Sequence, residues 1–327
     1  MESAPTPRSS SSRATDLAFA GIAALVVTLV ARAVTGQGLD LLDDGLLLVG
    51  AERLSGGATL YRDVFVPGGP APYALLAAAF ALFGPSVGTL AWVEAVVLGL
   101  VAGLATHAAR RLGAGVFAAV VPIAVLAGTS LDWGTAAALV MTVITGLVLR
   151  AGGTRGRAVG LGLGWAVVSW FGHAVPLPAV VVGAGTLWFA GSRRGSDGIV
   201  FGLALVAGVA LPFAWALATQ SLGIFTAALA AAAGAGQGPL VFFSDFARPF
   251  ATLTTGEALE GLWPAHDLLR RIAVGTGLAL AVVVPPLALG IAVRRRPQDP
   301  LLVAVALFGV AMALRWVLGG AASAWTA

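Results

Sequence analysis

The 327-residue chain is 58% hydrophobic and only 10% charged, with a mean hydropathy of +0.94, whereas an average soluble domain is about 25% charged; a soluble globular fold is excluded. All 19 basic residues are arginine and the net charge is only +4, so the pI of 10.8 marks no basic groove and no nucleic-acid partner. The lack of cysteine removes disulfides, thiolate catalysis and cysteine metal sites together.

Residues 1–15 begin MESAPTPRSSSSRA, a Ser/Pro-rich composition that predicts a disordered tail. Residues 16–327 read as a single transmembrane domain. The first apolar run closes on Ala31-Arg32-Ala33, which imitates a signal-peptide cleavage site. The run is long for a signal peptide, however, and an arginine stands inside the supposed site.

Apolar runs of about 18 to 22 residues, the length that crosses a bilayer core, alternate with short charged clusters. Lipid offers backbone groups no hydrogen-bond partner, so such runs must be helical. Candidate spans are Leu17 to Val34, Val87 to Ala109, Val116 to Ser130, Trp133 to Leu149, Ala158 to Phe171, Val175 to Ala190, Ile199 to Ala218, Ile272 to Val293 and Leu301 to Leu318. The expected fold is an all-α, polytopic membrane helix bundle of about nine transmembrane helices. The spans over 116–130 and 158–171 are short and fit tilted or partly re-entrant helices.

Arginine placement orients the bundle. With the N-terminus in the cytoplasm, Arg110 and Arg111, Arg150 with Arg155 and Arg157, Arg193 and Arg194, and Arg294 to Arg296 all fall inside, as the positive-inside bias requires. Every acidic residue except Glu2, Asp16, Asp197 and Asp299 then lies on or just below the outer side. Arginine in place of lysine, with abundant alanine and glycine, fits a GC-rich bacterial genome and hence a multi-pass protein of the bacterial plasma membrane.

Two large outer loops result, 35–86 and 219–271. Within the first, PAPYALLAAAFALF after Gly69 is apolar but too short to span, and counting it as a span would reverse every later loop. It reads as an interfacial helix. A helix over 40–54 places Asp40, Asp43 and Asp44 on one face at i, i+3 and i+4. Crowded carboxylates raise one another's pKa, which suits a general base or a cation site; a solvated external loop is the ordinary alternative for the same cluster. Gly99 and Gly103 form a small-xxx-small pair that predicts close helix packing.

The order Asp-Asp-Gly, Ala-Glu-Arg-Leu, Leu-Tyr-Arg-Asp-Val-Phe and Gly-Pro-x-Pro-Tyr, then an apolar helix ending Leu-Phe-Gly, resembles the first outer loop of the C-type glycosyltransferase superfamily. These multi-span transferases use polyprenyl-phosphate sugars and include protein mannosyltransferases and aminoarabinose transferases. The resemblance runs over residues 16–112, with an echo in GLGLGWAVVSWFGHAVPLPAVVV at 160–182. It implies Asp43 as the catalytic carboxylate with Asp44 as its neighbour, and Asp63, after Tyr61, as a second acidic position. The implied activity is inverting transfer of a sugar from a polyprenyl-phosphate donor to a glycan, lipid or protein acceptor on the outer face. A divalent cation such as Mg or Mn would sit on Asp43 and Asp44 if one is used. Residues past 219 match no motif of that family, whose members usually run longer.

A departing phosphate needs positive charge, and the outward candidates are Arg62, His173, Arg248, Arg270, Arg271 and Arg315. Arginines such as Arg270 and Arg271 also commonly end a span and snorkel to lipid headgroups, and His173 equally suits a hydrogen-bonded helix break. Glu94 lies inside the second span, where an ionisable group is costly; either a role in the chemistry or a pairing with Arg315 accounts for it. His266 and Asp267 make at most a weak metal signal, and Gly160, Gly162 and Gly164 sit in an apolar span rather than in a nucleotide-binding loop. Two other classes stay open: a multi-span transporter or lipid flippase, and a non-catalytic relative that retains the fold.

Overall fold

The computed structural model describes residues 10–34, 43–66, 69–113, 133–151, 155–171, 179–190, 195–227, 290–296 and 298–311. Among them there is no strand ladder, only an isolated bridge between Leu60 and Val64, and the rest of the regular structure is helical. Among the described residues four helices are long and apolar enough to cross a membrane: Ala14–Ala33, Val87–Arg111, Trp133–Arg150 and Ser196–Ala218. The described residues are thus mostly helical and consistent with an all-α membrane bundle. The spans expected at 116–130 and over most of 272–293 lie outside the described residues.

By internal packing the chain divides into two compact units, Met1–Ser55 with Leu75–Asp132 and Gly56–Ala74 with Trp133–Ala327. The first contains α1 (Ser10–Val34), α2 (Asp43–Ser55), most of α3 (Ala71–Phe83) and α4 (Val87–Arg111). The helix of α1 starts at Ser10, inside the stretch expected to be a disordered tail. Extending a helix already nucleated by a long apolar span costs little per residue.

The glycine pair in α4 has the packing role its spacing predicts. A methyl group on Gly99 would overlap the Thr28 hydroxyl and the Ala24 carbonyl, and one on Gly103 would press on the Ala20 carbonyl. With no side chain at these two positions, α4 lies directly against α1 around a core of Val27, Ala31, Ala95, Leu98 and Ala102. At one end of this pair the buried Asp16 carboxylate receives the Arg110 Nε at 3.1 Å. The Arg110 guanidinium also lies 5.1 Å from the Phe19 ring centroid.

At 13 residues α3 is too short to span, as its sequence predicts. It ends at Gly84, whose φ of +83° makes the turn into α4. Ser86 then caps α4 by accepting from the Thr89 N–H, and the Thr89 hydroxyl donates back to the Gly84 carbonyl.

The second unit contains α5 (Trp133–Arg150), α6 (Arg155–Ser169), a π-helical stretch (Ala179–Ala184) running into α7 (Gly185–Ala190), α8 (Gly195–Ala218), a short α9 over 222–227, α10 over 290–295 and α11 (Pro300–Ala311). Its core gathers Met141, Leu149, Leu161, Trp165, Val182, Phe201 and Ala304. Gly162 and Gly164 let α6 close on Phe201 and Ala204 of α8 and on Met141 of α5. These glycines serve helix packing, in keeping with their reading as no nucleotide loop. The fully buried Trp165 donates its Nε1–H to Thr145 Oγ1 at 3.0 Å, and Thr145 donates onward to the Met141 carbonyl at 2.8 Å. The chain of donors leaves the buried indole and hydroxyl satisfied.

Where α5 ends, Arg150 meets Asp299 at 3.3 Å. Asp299 also accepts from the Leu301 N–H at the start of α11, so one carboxylate caps one helix and binds the last turn of another. Both this pair and Asp16–Arg110 join residues that the arginine pattern assigns to a common side.

Candidate functional site

The acidic loop predicted from sequence falls into two structural pieces. The first begins at α2, which opens at Asp43 and Asp44. Acidic residues are favourable there because the N-terminal end of a helix carries partial positive charge. Asp43 is described as backbone only, and Asp40 lies outside the described residues. The half-buried Asp44 lies close enough to Glu94 of α4 for the two carboxyls to interact electrostatically. Glu94 thereby has an acidic neighbour 50 positions away in sequence.

Arg32 belongs to the same unit and was not among the candidate phosphate-binding residues. It stands in the last turn of α1, its guanidinium 5.4 Å from the Trp92 ring centroid, with Nε buried and without a hydrogen-bond partner among the described residues. A signal for it existed. The arginine bias that orients the bundle assigns the other span-flanking arginines of the first four spans to one side, and Arg32 alone ends its span on the opposite one.

The second piece is the turn carrying Leu-Tyr-Arg-Asp-Val. Tyr61 adopts φ 66°, a left-handed conformation that side-chain-bearing residues rarely take. Its N–H donates to the Val64 carbonyl at 2.8 Å, and the Asp63 N–H to the Thr59 carbonyl at 2.9 Å. The ring packs edge-on against Phe225 at 4.8 Å and Trp215 at 6.3 Å between centroids. Burial, with Tyr73 nearby, pushes the phenol above its ordinary pKa, so Tyr61 stays a neutral hydroxyl and serves as an anchor rather than a base.

With Tyr61 turned inward, Arg62 and Asp63 are directed outward together. Arg62 donates Nε to Asp63 Oδ1 and Nη2 to Oδ2, each at 3.0 Å, and the Thr59 N–H reaches Oδ2 at 2.7 Å. The Arg62 hydrogen bonds first, then the Thr59 N–H, hold the Asp63 carboxyl down at about 2. So low a value leaves Asp63 a poor proton acceptor at neutral pH, and Asp63 in turn occupies two of the Arg62 donors. The same unit ties the start of α3 to the end of α6, where the Ala71 N–H donates to the Trp170 carbonyl at 3.1 Å.

His173, Arg248, His266, Asp267, Arg270, Arg271 and Arg315 lie outside the described residues. Among the described residues no three His, Asp or Glu side chains converge as a metal-binding group. Compared with known proteins, the chain matches no family profile, no curated protein and no solved structure.

Proposed function

We propose that the chain is a multi-pass membrane glycosyltransferase of the C type, of about nine spans, with its N-terminus in the cytoplasm and its site on the outer face of a bacterial plasma membrane. It moves a sugar from a polyprenyl-phosphate donor to a hydroxyl of a glycan, lipid or protein acceptor. The observation that carries this reading is the element order after α1. An acid-led helix starts at Asp43, a Tyr-Arg-Asp turn follows, and then comes an apolar helix too short to span, the order on which the resemblance rests.

In this reading Asp43 takes the proton of the acceptor hydroxyl as its oxygen bonds to the anomeric carbon. The bond from that carbon to the phosphate oxygen breaks with inversion, and polyprenyl phosphate leaves with the electron pair. A phosphate leaving group needs no general acid, so one carboxylate suffices, in contrast to glycoside hydrolysis with its two. Arg32 supports this better than Arg62 as the group that neutralises the departing phosphate. Its Nε has no partner among the described residues, whereas two donors of Arg62 are already held by Asp63.

The test is Asp43→Asn at unchanged expression, with profiling of lipid-linked sugars and glycans. The expected result is an accumulated polyprenyl-phosphate sugar and a glycan missing one residue, as in a deletion strain; an unchanged product level removes Asp43 from the role.

A second reading, a transporter or lipid flippase, is favoured by Glu94 within a span beside Asp44. It predicts that Glu94→Gln abolishes substrate movement while Asp43→Asn leaves it intact.

A further inference from the structure

Away from these pieces, the second unit buries a polar group in its core. Thr186 of α7 is 0% exposed, and its Oγ1 has no hydrogen-bond partner among the described residues. It stands between Gly185, which lies against Leu307, and the buried Leu187. A buried hydroxyl left unpaired carries its full desolvation cost.

The two buried threonines of α5 show what Thr186 lacks. Thr142 and Thr145 donate to the carbonyls four residues back, those of Ala138 and Met141, at 2.7 and 2.8 Å. Four residues before Thr186 stands Val182, inside the π-helical stretch Ala179–Ala184. Hydrogen bonds there run to the fifth residue rather than the fourth, so the Val182 carbonyl does not sit where that bond needs it.

The same change of spacing leaves an acceptor over. A π-turn N–H bonds to the carbonyl five residues back, an α-turn N–H to the fourth. Where one pattern gives way to the other, successive N–H groups skip one carbonyl. The skipped carbonyl belongs to the turn before Thr186, because α7 follows the π stretch at once, from Gly185. Helical side chains lean toward the N-terminus of their helix, which carries the Thr186 hydroxyl over that same turn. A hydroxyl and a carbonyl, neither served by the helix, thus share one turn without bonding to each other.

We infer that the exit of the π stretch is a binding site for one water molecule, which accepts from the Thr186 hydroxyl and donates to the skipped carbonyl. A single water supplies both missing partners. A neutral occupant fits this place, because the core around it is built of apolar side chains, Val182, Leu187, Phe201 and Ala304 among them, and burying a cation there is costly.

The experiment is Thr186→Val, which keeps the shape of the side chain and removes the hydroxyl, read by thermal unfolding of the purified full-length protein in detergent. With the water in place, the substitution strands it and lowers the melting temperature by about 3 °C. Without it, the same substitution removes a hydroxyl that nothing satisfies and raises the melting temperature. An unchanged or raised value therefore overturns the site. Where the variant fails to fold, a high-resolution map of the unsubstituted protein decides: water density within hydrogen-bond distance of Thr186 Oγ1 is expected, and a resolved side chain with none beside it overturns the site. A melting temperature that rises with sodium chloride but not with choline chloride, and does so only while Thr186 is present, overturns the assignment to water in favour of a monovalent cation.

Discussion

Asp16 and Arg110, 94 positions apart, close one end of the α1–α4 pair through a part-buried ion pair at 3.1 Å. Removing one partner leaves the other buried without compensation, which costs about 3 kcal/mol when the site cannot relax. Asp16→Asn is therefore expected to lower the melting temperature of the purified protein more than the double variant Asp16→Asn, Arg110→Gln does. Thermal unfolding in detergent reads the difference, and equal losses would assign the pair no coupling.

The native chain has no cysteine, so an introduced pair reports without background. Val27 and Leu98 belong to the shared core of α1 and α4, and cysteines at the two positions are expected to cross-link in membranes. Adding Gly99→Val should abolish the cross-link, because its side chain would occupy the space of the Thr28 hydroxyl and the Ala24 carbonyl. A cross-link that survives would mean that α4 does not need the glycine to approach α1.

The Arg62–Asp63 pair makes a pH prediction. Its folded-state pKa is depressed, to about 2 from the ordinary 3.8. The contribution of the pair to the turn is thus fully present above pH 4 and is lost as pH falls through about 2. In Arg62→Gln the carboxyl should protonate at a higher pH, still held below its ordinary value by the Thr59 N–H. Isotope-edited infrared spectroscopy of the Asp63 carboxylate band follows this directly; the same midpoint in both proteins would show that Arg62 does not hold Asp63.

Orientation is tested by labelling single cysteines in intact cells with an impermeant maleimide. Gly57→Cys, in the acidic loop, is expected to label from outside, and Ala151→Cys, exposed after α5, only after permeabilisation. Labelling of both from the same side would break the arginine-based topology.

Local chemistry was legible in the sequence wherever one helix suffices to express it. The spans expected at Val87 to Ala109 and Trp133 to Leu149 match helices Val87–Arg111 and Trp133–Arg150 to within two residues, and the short α3 and the packing role of Gly99 and Gly103 follow from apolar length and small-residue spacing. The electrostatic pairing of Asp44 with Glu94 was not legible, because it joins residues 50 positions apart. Nor was the partnership of Arg62 with Asp63: as neighbours in sequence they read as two separate candidates. With Tyr61 turned inward both face outward, and the hydrogen bonds from Arg62 and Thr59 keep Asp63 ionised. Arg32 was not legible as a phosphate candidate, because Ala31-Arg32-Ala33 reads equally as a cleavage-site pattern.

The π-helical stretch at Ala179–Ala184 has a consequence for insertion and deletion. A π turn holds one residue more than an α turn, so it rotates everything after it by about 100° relative to an uninterrupted helix. By taking up its extra residue the π turn keeps Thr186 and Leu187 inward and Trp188 68% exposed. Deleting Val181 would remove the extra residue and restore regular helix with Thr186 and Leu187 still inward and Trp188 still outward. Here a one-residue gap should be tolerated, whereas the same gap in a regular packed helix would turn every later side chain to another face.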